Sequence, residues 1–425
     1  PGNNLINSLP KRKQGLAGRL SYAYDGKYMA EVNMGYNGSE NFAKGYRWGF
    51  FPSIALGYNI SEESFFEPLR KVITSMKLRG SWGLVGNDQI GGERFIYMPT
   101  INLSGKGFTT GIDQNYGLSG PVYTRYENNS ITWEVGEKIN LGIDLQLLNS
   151  LNIVVDIFRE TRRDIFQKKG TIPTYLGTGN TDVFGNLAEM KNQGLDLSID
   201  YNKAFSKDFY MNFKGTFTYA HNEITKYDEA PKYAFQSKVG QSANVSQGYL
   251  SNGLFLDEAE IDRYNQQMGS TLGAGDIKYL NVSNMHGYGD DIVDVDDWTW
   301  IGNPTVPEIV YGFGPSFKYK NWDFSFFFQG VAKTSLFMSG FHPFGDNSLR
   351  NVLQFVANDR WSPTNQNVDA KYPRLTRKTS LNNTNPGNSG RTSDYWMRDG
   401  SFLKLKNMEL GYTFKRMRFY ISGSN

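Results

Sequence analysis

The stretch from Ile131 to Asn222 repeats one rule four times. From Ile139 the odd positions are apolar (Ile139, Leu141, Ile143, Leu145, Leu147) and the even ones polar or small (Lys138, Asn140, Gly142, Asp144, Gln146). After a tight Leu148-Asn149-Ser150 turn the odd positions are apolar again: Leu151, Ile153, Val155 and Ile157. Leu195, Leu197, Ile199 and Tyr201 then alternate with Asp196, Ser198, Asp200 and Asn202. A fourth run sets Phe209, Met211, Phe213, Phe217 and Tyr219 against Asn212, Lys214, Thr216 and Thr218. A period of two is the signature of a strand with one apolar and one polar face. Each run lasts roughly ten residues, the length a tilted strand needs to cross a bilayer. The pattern predicts an all-β chain forming a transmembrane antiparallel β-barrel, with lipid outside and water inside.

The alternation extends in both directions. Leu16, Leu20, Tyr22 and Tyr24 lead to an Asp25-Gly26 turn, and Tyr28, Ala30, Val32, Met34 and Tyr36 return from it. Asp-Gly between two alternating runs marks a two-residue hairpin. Trp48, Phe50, Ile54, Leu56 and Tyr58 form the next strand, and a connection with Glu62, Glu63 and Pro68 predicts a helical turn. A strand with Met76, Leu78, Trp82 and Leu84 on one face follows. Downstream, Ile309 to Tyr319 and Trp322 to Phe328 flank a Lys320-Asn321 turn. The last pair changes parity between Leu405 and Met408, predicting a bulge near Asn407. About twelve strands emerge, their connections alternating short and long, with long loops at about 86–130, 223–307 and 332–400. Outer-membrane barrels segregate periplasmic turns from external loops in this way. Aromatic residues gather near strand ends (Tyr36, Trp48, Tyr58, Trp133, Tyr219, Trp322), as interfacial girdles require.

Composition narrows the alternatives. No apolar run approaches the 18 or so residues of a membrane helix. A mean hydropathy of −0.51 fits a barrel, because half of each strand and all loops are polar. The absence of Cys is compatible with folding across an oxidising periplasm. A net charge of +3 gives no reason to invoke nucleic acid. The chain starts at Pro1 and stops just after a strand at Asn425, so we read residues 1–425 as part of a longer barrel protein.

Several segments resemble motifs of the SusC-like TonB-dependent transporters of the Bacteroidota. They are Asn37 to Ala43, Phe50-Phe51-Pro52-Ser53, Met76 to Gly83, Val85-Gly86-Asn87, Ile301-Gly302-Asn303-Pro304, Arg360-Trp361-Ser362-Pro363 and Tyr372-Pro373-Arg374-Leu375. Tyr395-Trp396, Ser401 to Asn407 and Leu410-Gly411-Tyr412 complete the set, spread in family order across nearly the whole chain. The resemblance implies a 22-stranded barrel around a plug domain. Plug and early strands would lie upstream of this chain and a last strand downstream. It also implies TonB-driven import of oligosaccharides through a Gram-negative outer membrane, with oligopeptides as the alternative cargo. A SusD-like surface lipoprotein would close over the external loops, and transporter–lipoprotein pairs would form a dimer. A passive porin, a surface adhesin and a soluble β-rich binding protein are the rivals from other classes.

No catalytic constellation stands out, and the chain reads as a non-enzyme: His221, His286 and His342 show no ligand spacing, and there is no nucleophile elbow, P-loop or Cys pair. Trp298, Trp300, Trp361, Tyr395 and Trp396 lie in the long loops, where sugar rings stack on aromatic faces; the alternative is that they hold a loop core or anchor the loops. Lys77, Arg79, Arg159, Lys214, Lys404 and Lys406 are read as lumen-facing polar positions. Asp290, Asp294 and Asp297 lie in an acidic loop after Gly289 and are candidate ligands for a structural Ca²⁺. They match the second half of an EF-hand-like run frequent at this place in the resembling family. Asn281, Ser283 and Met285 to Tyr288 depart from its first half, so a solvated acidic loop is the other reading.

Overall fold

A computed structural model describes residues 10–90, 94–173, 181–264, 266–267, 272–338, 344, 351–377 and 392–425. Twelve strands form one antiparallel sheet in strict chain order: β1 (Lys13–Tyr24), β2 (Tyr28–Ser39), β3 (Trp48–Asn59), β4 (Ile73–Asn87), β5 (Glu134–Leu147), β6 (Leu151–Lys168), β7 (Phe184–Ala204), β8 (Phe209–Lys226), β9 (Ile309–Tyr319), β10 (Trp322–Ala332), β11 (Phe402–Phe414) and β12 (Met417–Ser424). Within the described residues β1 and β12 are the two edges of the sheet and do not pair with each other.

The register shows why the alternation produces this sheet. Leu20, Val32, Ile54, Trp82 and Ile139 stand opposite one another on five consecutive strands. A second apolar row continues through Leu141, Ile157, Leu195, Tyr219 and Ile309. On the other face Gln146, Asn152, Asp200 and Lys214 form a polar row. A one-residue slip anywhere would exchange the two faces, so the pattern pins the register. The apolar face is left uncovered: Leu20 is 73% and Leu141 62% exposed. A water-soluble sheet would bury such a face, whereas here it presents a hydrocarbon-compatible wall.

Short connections all lie at one end of the sheet, at 25–27, 148–150, 205–208, 320–321 and 415–416, with 60–72 as the longest. The Asp25-Gly26 turn has positive φ at both residues (53° and 63°), the geometry that matches strand twist. The 60–72 connection carries two 3-10 helices, Ile60–Glu62 and Ser64–Leu69, where the sequence suggested one helical turn. Glu63 holds this end together by accepting from the Tyr28 hydroxyl (2.7 Å) and Lys27 (3.4 Å). The Tyr28 bond first, and Lys27 after it, keep the Glu63 carboxyl below the usual carboxylate range.

Three features differ from the sequence expectation. β6, β7 and β8 run for 18, 21 and 18 residues, well beyond a bilayer span. Their alternation fades past Ile157 and before Leu195 because the strands leave the hydrocarbon there, and outward positions need no longer be apolar. The 86–130 segment is not simply a loop, since Thr100–Thr110 and Tyr116–Arg125 pair as a separate hairpin. A further long connection, 169–183, joins β6 to β7 and lacked any distinguishing pattern. The bulge lies where parity predicted it. Asn407 faces Phe327 and Leu405 faces Phe328, so Lys406 is the extra residue.

The two-faced sheet makes a direct prediction. Leu141→Arg should cost about 2–4 kcal/mol of unfolding free energy in lipid vesicles, as an arginine does near a bilayer midplane. The adjacent Asn140→Arg, on the water side, should stay within about 0.5 kcal/mol of wild type. Equal costs for the two variants would refute the assignment of faces.

Candidate functional site

The water-side wall carries fixed charge. Arg79 on β4 donates to both carboxylate oxygens of Asp156 on β6 (2.7 and 2.6 Å) and to Asp144 on β5 (3.0 Å). It reaches across β5 because Gly142 lies between: a Cβ there would stand 2.7 Å from the Arg79 guanidinium carbon. Near one edge Arg418 grips both oxygens of Asp323 and reaches Glu409, and near the other Arg19 reaches Glu31 through a single nitrogen. Thr218 donates to Asp196 at 2.6 Å. Bidentate arginine pairs of this kind hold side chains upright along a wet wall.

The predicted lumen cations divide. Lys77, Arg79 and Lys214 share the polar face, opposite Asp144, Gly142 and Asp200 respectively. Lys404 stands opposite Gln329 on that face, and Lys406 occupies the bulge. Arg159 is a correction. It lies directly opposite Ile139 and has the parity of Ile153, Val155 and Ile157, so it stands on the outward face. Alternation was read as ending at Ile157, but the strand continues without a bulge through Arg162.

Above the long-loop end, the two largest insertions build one buried core. Tyr249, Leu254, Ile277, Tyr279, Val293, Phe344, Val356, Trp361, Tyr372 and Trp396 form it, with Trp298 and Tyr395 packed against it. Trp361 is 5% and Trp396 2% exposed, so the loop aromatics proposed for sugar stacking serve instead as loop core. Tyr395 donates to the Ala370 carbonyl at 2.7 Å, and burial pushes its phenol pKa up. Trp300 stands apart, donating to the Ser237 carbonyl (2.9 Å) and roofing a cavity of about 360 Å³. Ile165, Met190, Ile224, Tyr227 and Val245 wall that cavity, and Lys238 and Glu189 add one cation and one carboxylate. Lys238 lies 4.4 Å from the Tyr227 ring centroid.

The decisive link between the insertions escaped sequence reasoning. Arg374 donates to both oxygens of Asp276 (2.6 and 2.8 Å), and Asp276 is fully buried. The Asp276 hydrogen bond, opposed by burial, raises the arginine pKa. The neighbouring Gly275 has φ +83°, and a Cβ would lie 2.3 Å from the Trp361 ring, so only glycine fits. Arg374 was visible as part of a short motif, but nothing near Asp276 announced its partner 98 residues away.

The acidic loop does not fit a Ca²⁺ ion. Asp294 and Asp297 cap a 3-10 turn reciprocally, and buried Asp297 also accepts from the Ser283 amide (2.9 Å). Asp290 binds Asn281, and Asp296 pairs with Lys232. These carboxylates satisfy backbone amides and a lysine instead of converging as the six to eight oxygens of a calcium site. Among the described residues no group of three or more His, Asp or Glu comes together to hold a metal. His221 meets Glu308, His286 stacks on Phe235, and His342 lies outside the described residues.

Asp276→Asn tests the lock between insertions. It removes the charge partner of Arg374, whose side chain is 29% exposed, at a cost of about 1–3 kcal/mol. Cleavage by a protease within 227–308 and 333–401 should accelerate, while the melting of the sheet stays unchanged. Unaltered cleavage would mean that the pair does not hold the insertions.

Comparison with known proteins bears on the fold directly. A family model described as "TonB dependent receptor-like, beta-barrel" matches residues 2–425. TonB-dependent receptor P3 of Formosa agariphila is 26% identical over 432 residues, covering 96% of this chain and 40% of the relative. TonB-dependent receptor SusC of Bacteroides thetaiotaomicron is 28% identical over 415 residues, covering 94% and 38%. The chain therefore spans about two fifths of the length of these relatives. The structure of the RagAB peptide transporter superposes with a TM-score of 0.68 at 18% identity, over 94% of this chain and 41% of that one. The family model and both named relatives are receptors, not enzymes. The chain belongs to the β-barrel family of TonB-dependent receptors.

Proposed function

We propose that this chain is part of the wall and external cap of a barrel that imports oligosaccharides across a Gram-negative outer membrane, driven by TonB. The observation that carries this reading is the two-sidedness of one continuous sheet. Its outward face is apolar and uncovered, its inner face is tied by Arg79, Asp144 and Asp156, and its long loops gather at one end into a buried core. In this reading further strands complete a 22-stranded barrel around a plug through which TonB acts. The loop cap presents a stable surface to a SusD-like lipoprotein, and two such pairs form a dimer. Residues of the inner wall guide a solvated cargo, and no bond in it is broken. The resemblance to SusC-like transporters set out above supports the glycan assignment, and TonB-dependent receptor SusC is among the relatives.

Oligopeptides are the second reading. The cavity beneath Trp300 supports them, since its apolar walls stand beside Lys238, which forms no ion pair among the described residues while the nearby Glu189 is tied to Lys226, and this suits a side chain and a carboxylate better than a neutral sugar.

The test is gentle-detergent purification of the full-length protein from its native outer membrane, with mass spectrometry of what accompanies it. An equimolar surface lipoprotein and a retained oligosaccharide are expected. A retained peptide would move the cargo to the second reading. A barrel that emerges alone, with no plug in its full sequence, would establish a passive pore or an adhesin instead.

A further inference from the structure

The cavity roofed by Trp300 lies directly above the inner wall. β6, β7 and β8 overrun the bilayer at the long-loop end, and their continuation makes the cavity floor. Met190 stands opposite Ile224 in register and keeps the parity of Asp196 and Asp200. Ala188, two residues before it, stands opposite Ile165. The floor is therefore the water-side face of the sheet, turned apolar at this height. The roof is the short antiparallel sheet of Ser246–Gly248 and Thr299–Ile301, in which Gln247 stands directly opposite Trp300, so the two side chains share one face. At about 360 Å³ the cavity is near the lower end of the roughly 300–1,000 Å³ of small-molecule sites, room for one end of a cargo and not for a whole oligomer.

Lys238 donates to the Tyr227 hydroxyl at 3.3 Å, with its ammonium 4.4 Å from that ring's centroid, which leaves two of its three N–H donors. Among the described residues it forms no ion pair. Glu189, which also borders the cavity, has the outward parity of Leu195 and is tied to Lys226 at 3.5 Å. Glu229 accepts from the Ser237 hydroxyl (2.8 Å) and the Lys238 backbone amide (2.7 Å). Gln247 donates its amide N–H to the Gln236 carbonyl at 2.8 Å, and its side-chain oxygen accepts no hydrogen bond among the described residues. Around these polar groups Ile165, Met190, Ile224 and Val245 offer hydrocarbon and no partner for a hydroxyl. A neutral sugar would leave hydroxyls unpaired against such walls, which weakens binding. A cation, one acceptor and an aliphatic floor match the carboxylate, the N–H and the side chain of a single terminal amino-acid residue.

We propose that this cavity is a subsite for the carboxy-terminal residue of an oligopeptide. The carboxylate meets Lys238, the N–H of the last residue meets Gln247, and an apolar side chain lies among Met190, Ile224 and Val245. This rests on the oligopeptide reading for its ligand, but not on import, since a terminus binds whether or not TonB acts. A charge-assisted bond beside apolar walls makes the free carboxylate the first determinant of affinity, and the size of the last side chain the second.

Calorimetric titration of the full-length protein in detergent tests this, with three pentapeptides that differ only at the last residue: leucine as the free acid, leucine amide, and glycine as the free acid. The leucine acid should bind roughly tenfold or more tightly than either of the others. Lys238→Gln should bind the leucine acid and amide alike, and Lys238→Arg should restore most of the preference for the acid. Ala188→Phe, which fills the floor, should lose the preference for leucine over glycine. Heat-modifiable gel migration reports whether each variant is folded, and the comparison of acid with amide on the wild type needs no variant. Equal binding of acid and amide by the wild type, an undiminished acid preference in Lys238→Gln, or an undiminished leucine preference in Ala188→Phe would overturn the proposal and leave the oligopeptide reading intact. A wild type that binds none of the three peptides would also overturn it. If that protein retains an oligosaccharide from its native membrane, the oligopeptide reading itself falls as well.

Discussion

A strand in hydrocarbon has no water to satisfy its amides and carbonyls, so every one of them must be paired to a neighbouring strand. That single demand organises this chain. It forces eleven consecutive antiparallel pairings without a crossover, from β1 to β12. It makes short connections sufficient at one end, because successive strands are always neighbours, and it consigns the longest insertions to the other. Side chains then have only two destinations, lipid or lumen, and the period of two follows. Bulges are tolerated only where they re-aim side chains, as at Lys406, where both flanking runs still present apolar residues outward.

With the backbone satisfied by the sheet, the chemistry is left to the inner wall and the loops, and the two are stabilised differently. The inner wall uses charge pairs across strands, with Arg79 spanning three of them through the gap at Gly142. The loops use a small soluble-type core, closed by a buried Arg374–Asp276 pair and by ring contacts such as Tyr395 on Trp396 at 5.4 Å. In the proposed import reading, the cap keeps its shape against water while the wall stays hydrated.

The sheet was legible in the sequence because alternation is a local property that lipid enforces residue by residue. The hairpin at Asp25-Gly26, the bulge near Asn407 and the count of twelve strands all followed from parity alone. Legibility ended where lipid ends. Past Ile157 the outward side may be polar, so Arg159 read as a lumen residue and half the length of β6 to β8 went unseen. The loop aromatics were visible as residues but not as a core. Whether Trp361 faces a sugar or packs over Gly275 depends on how segments 86 residues apart meet, and no periodicity records that.

Sequence by itself therefore determined the class of the protein, the face of nearly every membrane-embedded side chain and the end of the sheet that carries the long loops. The reason is that a two-state choice between lipid and water is made anew at each residue. Only the tertiary structure decided that Asp276 locks to Arg374, that Asp294 and Asp297 cap a turn, and that Arg159 looks outward. Those outcomes depend on long-range partners and on strand register beyond the hydrocarbon, where no local rule fixes which way a side chain must point.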